Sequence, residues 1–160
     1  MKSPRVIAME PAEHQYVQQG ILGALTDVLA LPKHRLLYED ICWKDQGFNR
    51  DLARSASVDR LHSTIDLSEA SDRVSLQLAE AVLGSNLFVK RAALAARSRS
   101  IILPDGQRLA LKKFASMGSA LCFPIETMVF YTIAHMATGG SSTSSGSSSL
   151  RRIRVYGDDI

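Results

Sequence analysis

Arg151-Arg152-Ile153-Arg154-Val155-Tyr156-Gly157-Asp158-Asp159-Ile160 closes the 160-residue chain, and its reading decides the fold. Residues 151–155 have the composition of a strand, and Gly157 permits a tight turn after it. Adjacent residues on a strand face opposite ways, so only a turn lets Asp158 and Asp159 approach one site. A strand normally has a partner on each side, and no return strand follows Ile160. The expectation is that the sequence is an incomplete piece of a longer protein.

Upstream lies a second acidic strand end. In Thr64-Ile65-Asp66-Leu67-Ser68-Glu69-Ala70-Ser71-Asp72, His62–Leu67 reads as a strand ending near Asp66, and Asp72 falls in the helix that follows. Hard oxygen ligands from two strand ends are what two Mg²⁺ ions, about 3.5–4 Å apart, require for phosphoryl transfer. Each piece alone has an ordinary reading: Gly-Asp-Asp as a surface turn, Asp66 as a helix cap, Asp72 as a solvated helix residue. Between them, Ser116-Met117-Gly118-Ser119-Ala120 leads into a helix, and small residues there let backbone approach a ligand closely.

The other elements follow from periodicity and punctuation. Apolar spacing predicts helices over 12–30, 50–60, 68–83, 86–97 and 123–137, with 33–48 irregular. Pro32 and Gly84 read as stops, and Pro124 suits a first helical turn. Pro104-Asp105-Gly106 joins 101–103 to 108–111 as a β-hairpin. Residues 138–149 are all Gly, Ser or Thr, a flexible connection with no means of packing a core.

Composition narrows the class. The chain is 46% apolar and 22% charged, which excludes wholesale disorder. No run of 18 apolar residues occurs, and no secretory leader pattern follows Met1. Cys42 and Cys122 form neither a disulfide framework nor a CxxC zinc pair, so a reducing cytoplasm is the default. The net charge is +3, unevenly spread. Residues 86–116 hold Lys90, Arg91, Arg97, Arg99, Arg108, Lys112 and Lys113 against Asp105 alone, an excess of six. Such a face would attract a polyanion, and it is equally an ordinary solvated basic surface.

In this order the passages resemble the palm motifs of viral RNA-directed RNA polymerases, and most closely the replicase beta subunit of positive-strand RNA bacteriophages (leviviruses). The residues that carry the resemblance are Lys2-Ser3-Pro4-Arg5-Val6-Ile7-Ala8-Met9-Glu10-Pro11, Asp66-Leu67-Ser68-Glu69-Ala70-Ser71-Asp72, Ser116-Met117-Gly118 with Phe123 and Glu126, and Tyr156-Gly157-Asp158-Asp159. The resemblance implies an α+β right-hand polymerase palm, an antiparallel sheet packed on helices, incomplete and with part of the fingers. Residues 1–62 would be the fingers and the approach to the palm, and 63–160 the palm with motifs A, B and C.

The same resemblance implies roles. Asp66 and Asp158 match the metal-binding aspartates, and Asp159 the neighbouring, less direct carboxylate. Asp72 matches the residue that senses the ribose 2′-hydroxyl, which separates RNA from DNA building blocks. Ser116, Met117, Gly118 and Glu126 match the nucleotide and template cradle, and Lys2 and Arg5 the triphosphate-binding segment. Arg97, Arg99, Lys112 and Lys113 are the candidate RNA contacts of the basic stretch. Implied with these are two Mg²⁺ ions, or Mn²⁺ in their place, RNA template and product, ribonucleoside triphosphates and host translation proteins as partners. The implied location is the cytoplasm of an infected bacterium, with no membrane. Ser119 and Cys122 depart from several phage replicases, and Glu126 from the Asn of many eukaryotic-virus polymerases. Two rivals remain: a reverse transcriptase-like palm, which Gly157 and Asp72 disfavour, and a non-catalytic RNA-binding relic. The isolated fragment is expected to be inactive and marginally stable.

Overall fold

The computed structural model describes residues 7–41, 43–84, 86–138 and 153–160. Lys2, Arg5 and all but the first residue of the 138–149 tract lie outside the described residues.

Helix α1 spans Ala12–Leu29 as its apolar spacing predicts, and a single 3-10 turn at Pro32–His34 follows it. The stretch 33–48 is not irregular throughout. Arg35–Asp40 forms helix α2, and Arg35 reaches Glu39 one turn on, at 3.4 Å. Six residues are too few to show a helical period, which is why the sequence hides this element. Helix α3, Gly47–Asp59, ends where Arg60 adopts a left-handed conformation with φ 58°.

The predicted helix over 68–83 is two helices. Helix α4 is Ala70–Arg73, and α5 is Leu76–Leu83. Between them Val74 and Ser75 are extended, and they pair with a neighbouring segment rather than with their own helix. Phe114 N–H donates to Val74 O at 2.9 Å, and Leu76 N–H donates to Lys112 O at 3.0 Å. The Ser75 hydroxyl then caps α5 by accepting from Leu78 N–H at 3.2 Å. Asn86 caps α6, Leu87–Ala96, in the same way through Val89 N–H.

The hairpin forms as expected, from β1, Ser100–Ile102, and β2, Arg108–Ala110. Its register pairs Ser100 with Ala110 and Ile102 with Arg108. Gly106, at φ +84°, supplies the turn, and Asp105 accepts from Gln107 N–H. Helix α7, Cys122–Ala137, carries Pro124 in its first turn, where no N–H is needed.

The architecture is α+β, with a small open antiparallel sheet against helices. Beyond the hairpin, strand-like pairing among the described residues is confined to single bridges, Asp66 with Asp159 and Ser75 with Lys113 among them. The expected strands at 62–67 and 151–155 are thus short stretches of extended chain, where described, rather than ladders. The core lies where α5, α6 and α7 meet the 114–115 segment. Ala79, Leu83, Ala93, Phe114, Leu121, Ile125 and Val129 are buried there. That core sets the N-terminal half of α7 against the acidic turn.

Candidate active site

The acidic turn is closed on itself and seated on α7. Tyr156 N–H donates to Asp159 O at 2.9 Å, and Asp159 N–H donates back to Tyr156 O at 3.1 Å. Gly157 sits at φ +62°, and its N–H donates to the Thr127 hydroxyl at 3.0 Å. A Cβ at Gly157 would lie 2.3 Å from the Phe123 ring, so only glycine lets the turn touch α7 this closely. The Phe123 and Tyr156 rings meet edge to face at 4.8 Å. Phe123 and Thr127, one helical turn apart, therefore carry the turn.

The turn brings the two acidic segments side by side. Ile65 and Ile160 exchange both backbone hydrogen bonds, at 2.8 and 3.0 Å, and Leu67 N–H donates to Asp158 O at 3.2 Å. This register sets Asp66 opposite Asp159, and residues opposite one another on an antiparallel pair share a face. Asp158 stands one residue away, opposite Leu67. Asp66 and Asp159 line a cavity of about 660 Å³, together with Gln46, Asn49, Arg50 and His62. Gln46 donates its side-chain amide to Asp159 Oδ2 at 3.0 Å, and Asn49 donates to Asp159 O at 3.2 Å.

On the other side stands a fourth carboxyl. Glu126 of α7 is buried, and burial, then Asp158 and Asp72, raise its pKa from 4.5 to about 7. Asp72 is half-exposed and takes a 2.5 Å hydrogen bond from Lys113 Nζ. The Ser116 hydroxyl is buried and finds no partner among the described residues. Gly118 lies at φ +113°, where a Cβ would stand 2.1 Å from Ala8 O, and Ala8 N–H donates to Met117 O at 2.9 Å. The Cys122 thiol is pushed up to about 12, chiefly by burial, and is inert as a nucleophile at neutral pH.

The donors suit a hard divalent cation. Asp66, Asp158 and Asp159 are carboxylates on paired segments, and none of the ion pairs among the described residues involves them. The raised pKa of Glu126 owes most to burial, and the nearby Asp158 and Asp72 add negative charge that a cation would relieve. No cluster of three such side chains able to hold a metal ion is formed among the described residues.

The family profile described as "RNA replicase, beta-chain" matches residues 1–160. The chain belongs to the RNA replicase beta-chain family. It is 36% identical over 159 residues to the RNA-directed RNA polymerase subunit beta of Enterobacteria phage SP, covering 99% of this chain and 25% of that protein. It is 34% identical over 163 residues to the subunit beta of Escherichia virus Qbeta, again 99% and 25%. To the beta chain of Escherichia phage MS2 it is 32% identical over 164 residues, 99% and 26%. The replicase-family chain thus spans about a quarter of the length of these relatives. Among the described residues no helix is long and apolar enough to cross a membrane.

The basic face of this replicase segment needs one correction. Arg97 is buried, not presented to solvent. Its guanidinium donates to the carbonyls of Phe114 at 2.8 Å, Lys113 at 3.1 Å and Leu111 at 3.3 Å. Burial and neighbouring Arg99 lower its pKa from an ordinary arginine's, yet three of its five donors meet carbonyls. Arg97 therefore braces the backbone, and its buried guanidinium is turned to these carbonyls rather than to an RNA phosphate. Arg99 and Lys112 are exposed, and Lys113 is engaged with Asp72. Sequence reasoning missed Gln46, Asn49 and Thr127, which hold the turn. Neutral amides and hydroxyls have no compositional signature, and nothing short of the fold would have picked them out.

Proposed function

We propose that the chain is the palm, with part of the fingers, of a phage RNA-directed RNA polymerase that transfers ribonucleotides to a growing RNA 3′ end. The observation that carries this is the pairing of residues 65–67 with 158–160, which sets two acidic segments together against α7, the helix that the Ser116–Ala120 loop leads into. Family membership supplies the reaction class. Residues 1–62 are read as fingers and the approach to the palm, and 63–160 as the palm.

Asp66 and Asp158 would hold the catalytic ions, with Asp159 as the neighbouring carboxylate. When bound, Mg²⁺ or Mn²⁺ would supply Lewis-acid activation of the 3′-hydroxyl and charge neutralisation at the phosphates. The chain's own residues orient the substrate. Asp72, beside Lys113 and near Glu126, faces the ribose; Ser116 and Gly118 offer a free hydroxyl and close backbone approach. Lys2 and Arg5 would meet the triphosphate. Arg99 and Lys112 would meet RNA phosphates. Ribonucleoside triphosphates, RNA template and product are the substrates, and the site of action is the bacterial cytoplasm, with host translation proteins as partners.

The test is nucleotide incorporation on a primed template by the full-length replicase. Asp66→Asn and Asp158→Asn should abolish it without unfolding the protein, and Asp159→Asn should be milder. Mg²⁺-dependent elongation by Asp158→Asn would sink the assignment. The register that sets Asp159 opposite Asp66 favours a second reading, in which Asp159 is the main partner ligand. Under that reading Asp159→Asn is the more damaging change.

A further inference from the structure

Gln18 lies in the middle of α1, far in sequence from every acidic residue of the site, yet it is fully buried. A neutral amide in a dry core is unfavourable unless its polar atoms are paired. Gln18 fills three of its four hydrogen-bonding positions. Its Nε2 donates to Ala96 O at 2.8 Å, at the end of α6. Its Oε1 accepts from the Ser119 hydroxyl and from Ala120 N–H, both at 3.0 Å. Ser119 Oγ in turn accepts from Leu121 N–H at 3.3 Å, just before α7 begins.

These bonds hold one end of the 116–120 loop. The other end is held by Ala8 N–H on Met117 O at 2.9 Å. Exposed Gly118 lies between the two attachments, with a backbone that tolerates no Cβ. The loop's position is thus set by residues 8 and 18, across a sequence separation of about a hundred residues. Removing either attachment frees the segment whose backbone is read as the nucleotide cradle.

From this we infer that Gln18 is a positioning residue for nucleotide binding, acting through Ser119 and Ala120. The inference rests on the reading of 116–120 as that cradle. Gln18 touches no substrate. Its amide fixes the loop before a nucleotide arrives, so that the ordering is not drawn from binding. An apolar residue of the same size would fill the space and leave the Ser119 hydroxyl, Ala120 N–H and Ala96 O unpaired.

The experiment uses the full-length replicase, active-site titrated, with a ribonucleoside triphosphate on a primed template. Gln18→Leu should raise the nucleotide KM about tenfold, the effect expected when buried hydrogen-bond partners are orphaned, while the titrated kcat changes little. Ser119→Ala, the milder change, should raise KM in the same direction, and the double variant should be no worse than Gln18→Leu alone. A merely structural role would lower the titratable fraction and the melting temperature and leave KM unmoved, which overturns the inference. If Gln18→Leu fails to fold, Ser119→Ala with unchanged KM overturns it equally. Gly118→Ala is the control on the underlying reading. An unchanged KM there refutes the cradle itself, whereas a raised KM there beside an unchanged one in Gln18→Leu and Ser119→Ala refutes only the positioning role.

Discussion

Replacing Glu126 with Gln should stabilise the chain above neutral pH and leave it unchanged in acid. Glu126 is 6% exposed, and burial together with Asp158 and Asp72 raises its pKa from 4.5 to about 7. Below pH 4.5 the carboxyl is protonated folded and unfolded alike, and it contributes no pH dependence. Between about 4.5 and 7 the unfolded chain ionises while the folded chain keeps its proton, so stability falls as pH rises. Above 7 the full penalty is present. A difference of about 2.5 units corresponds to about 3 kcal/mol. Glutamine has nearly the same shape and never ionises, so Glu126→Gln should gain up to about that amount at about pH 8 and nothing at about pH 4.

Urea unfolding of parent and variant across about pH 4 to 8 gives the difference directly, because titrating groups not coupled to Glu126 cancel. The expected trace is a rise confined to the window between the two pKa values. A flat difference would show that Glu126 titrates normally and that the carboxyl crowding around α7 is absent. A divalent cation at Asp158 would shrink the gain, since it removes one of the charges that raise the Glu126 pKa.

Other changes test the scaffold. Gly157→Ala meets both a positive φ and the Phe123 ring at 2.3 Å, and should cost more than about 2 kcal/mol in urea unfolding. Arg97→Met orphans three carbonyls and should cost about 1–3 kcal/mol while leaving the salt dependence of RNA binding untouched. Arg99→Gln with Lys112→Gln should do the reverse, lowering the log–log salt slope by about 1.4 for single-stranded RNA without a change in stability. Ser75→Ala removes the cap of α5 and should cost about 1 kcal/mol.

Much of this arrangement is legible in the amino-acid sequence, and the parts that are not share a cause. Helices α1 and α7 and the 100–110 hairpin are readable because Pro32, Pro124 and Gly106 act locally, through φ and a missing N–H. The turn at 156–159 is readable for the same reason, since Gly157 is a local necessity. The break at Val74-Ser75 is hidden, because it exists only where residues 112–114 offer alternative backbone partners. Arg97 is misplaced by its charge, which says nothing about direction: a guanidinium suits three carbonyls as well as a phosphate. Which aspartate opposes Asp66 is beyond reach too. A one-residue shift of register exchanges the faces of Asp158 and Asp159, and composition is blind to that shift.

The groups that hold the acidic turn are nearly all uncharged. Gln46, Asn49, Thr127 and the turn's own backbone position residues 156–160, while Gln18 and Ser119 position the neighbouring loop. Lysine or arginine in place of Gln46, which meets the Asp159 carboxylate, would hold it at least as firmly, because charge-assisted hydrogen bonds are the stronger kind. They would also neutralise the charge that must attract a cation, and each would have to be displaced before a metal could bind. Neutral donors fix geometry and leave the field of Asp66, Asp158 and Asp159 intact. Of the nearby basic side chains, Lys113 is placed on Asp72, the residue read as facing the ribose and not a metal, and Arg50, which lines the cavity, pairs with Asp51. Among the described residues no ion pair thus engages the three aspartates proposed to hold metal, while a basic side chain is paired with Asp72, where hydroxyl recognition, not cation binding, is the proposed task.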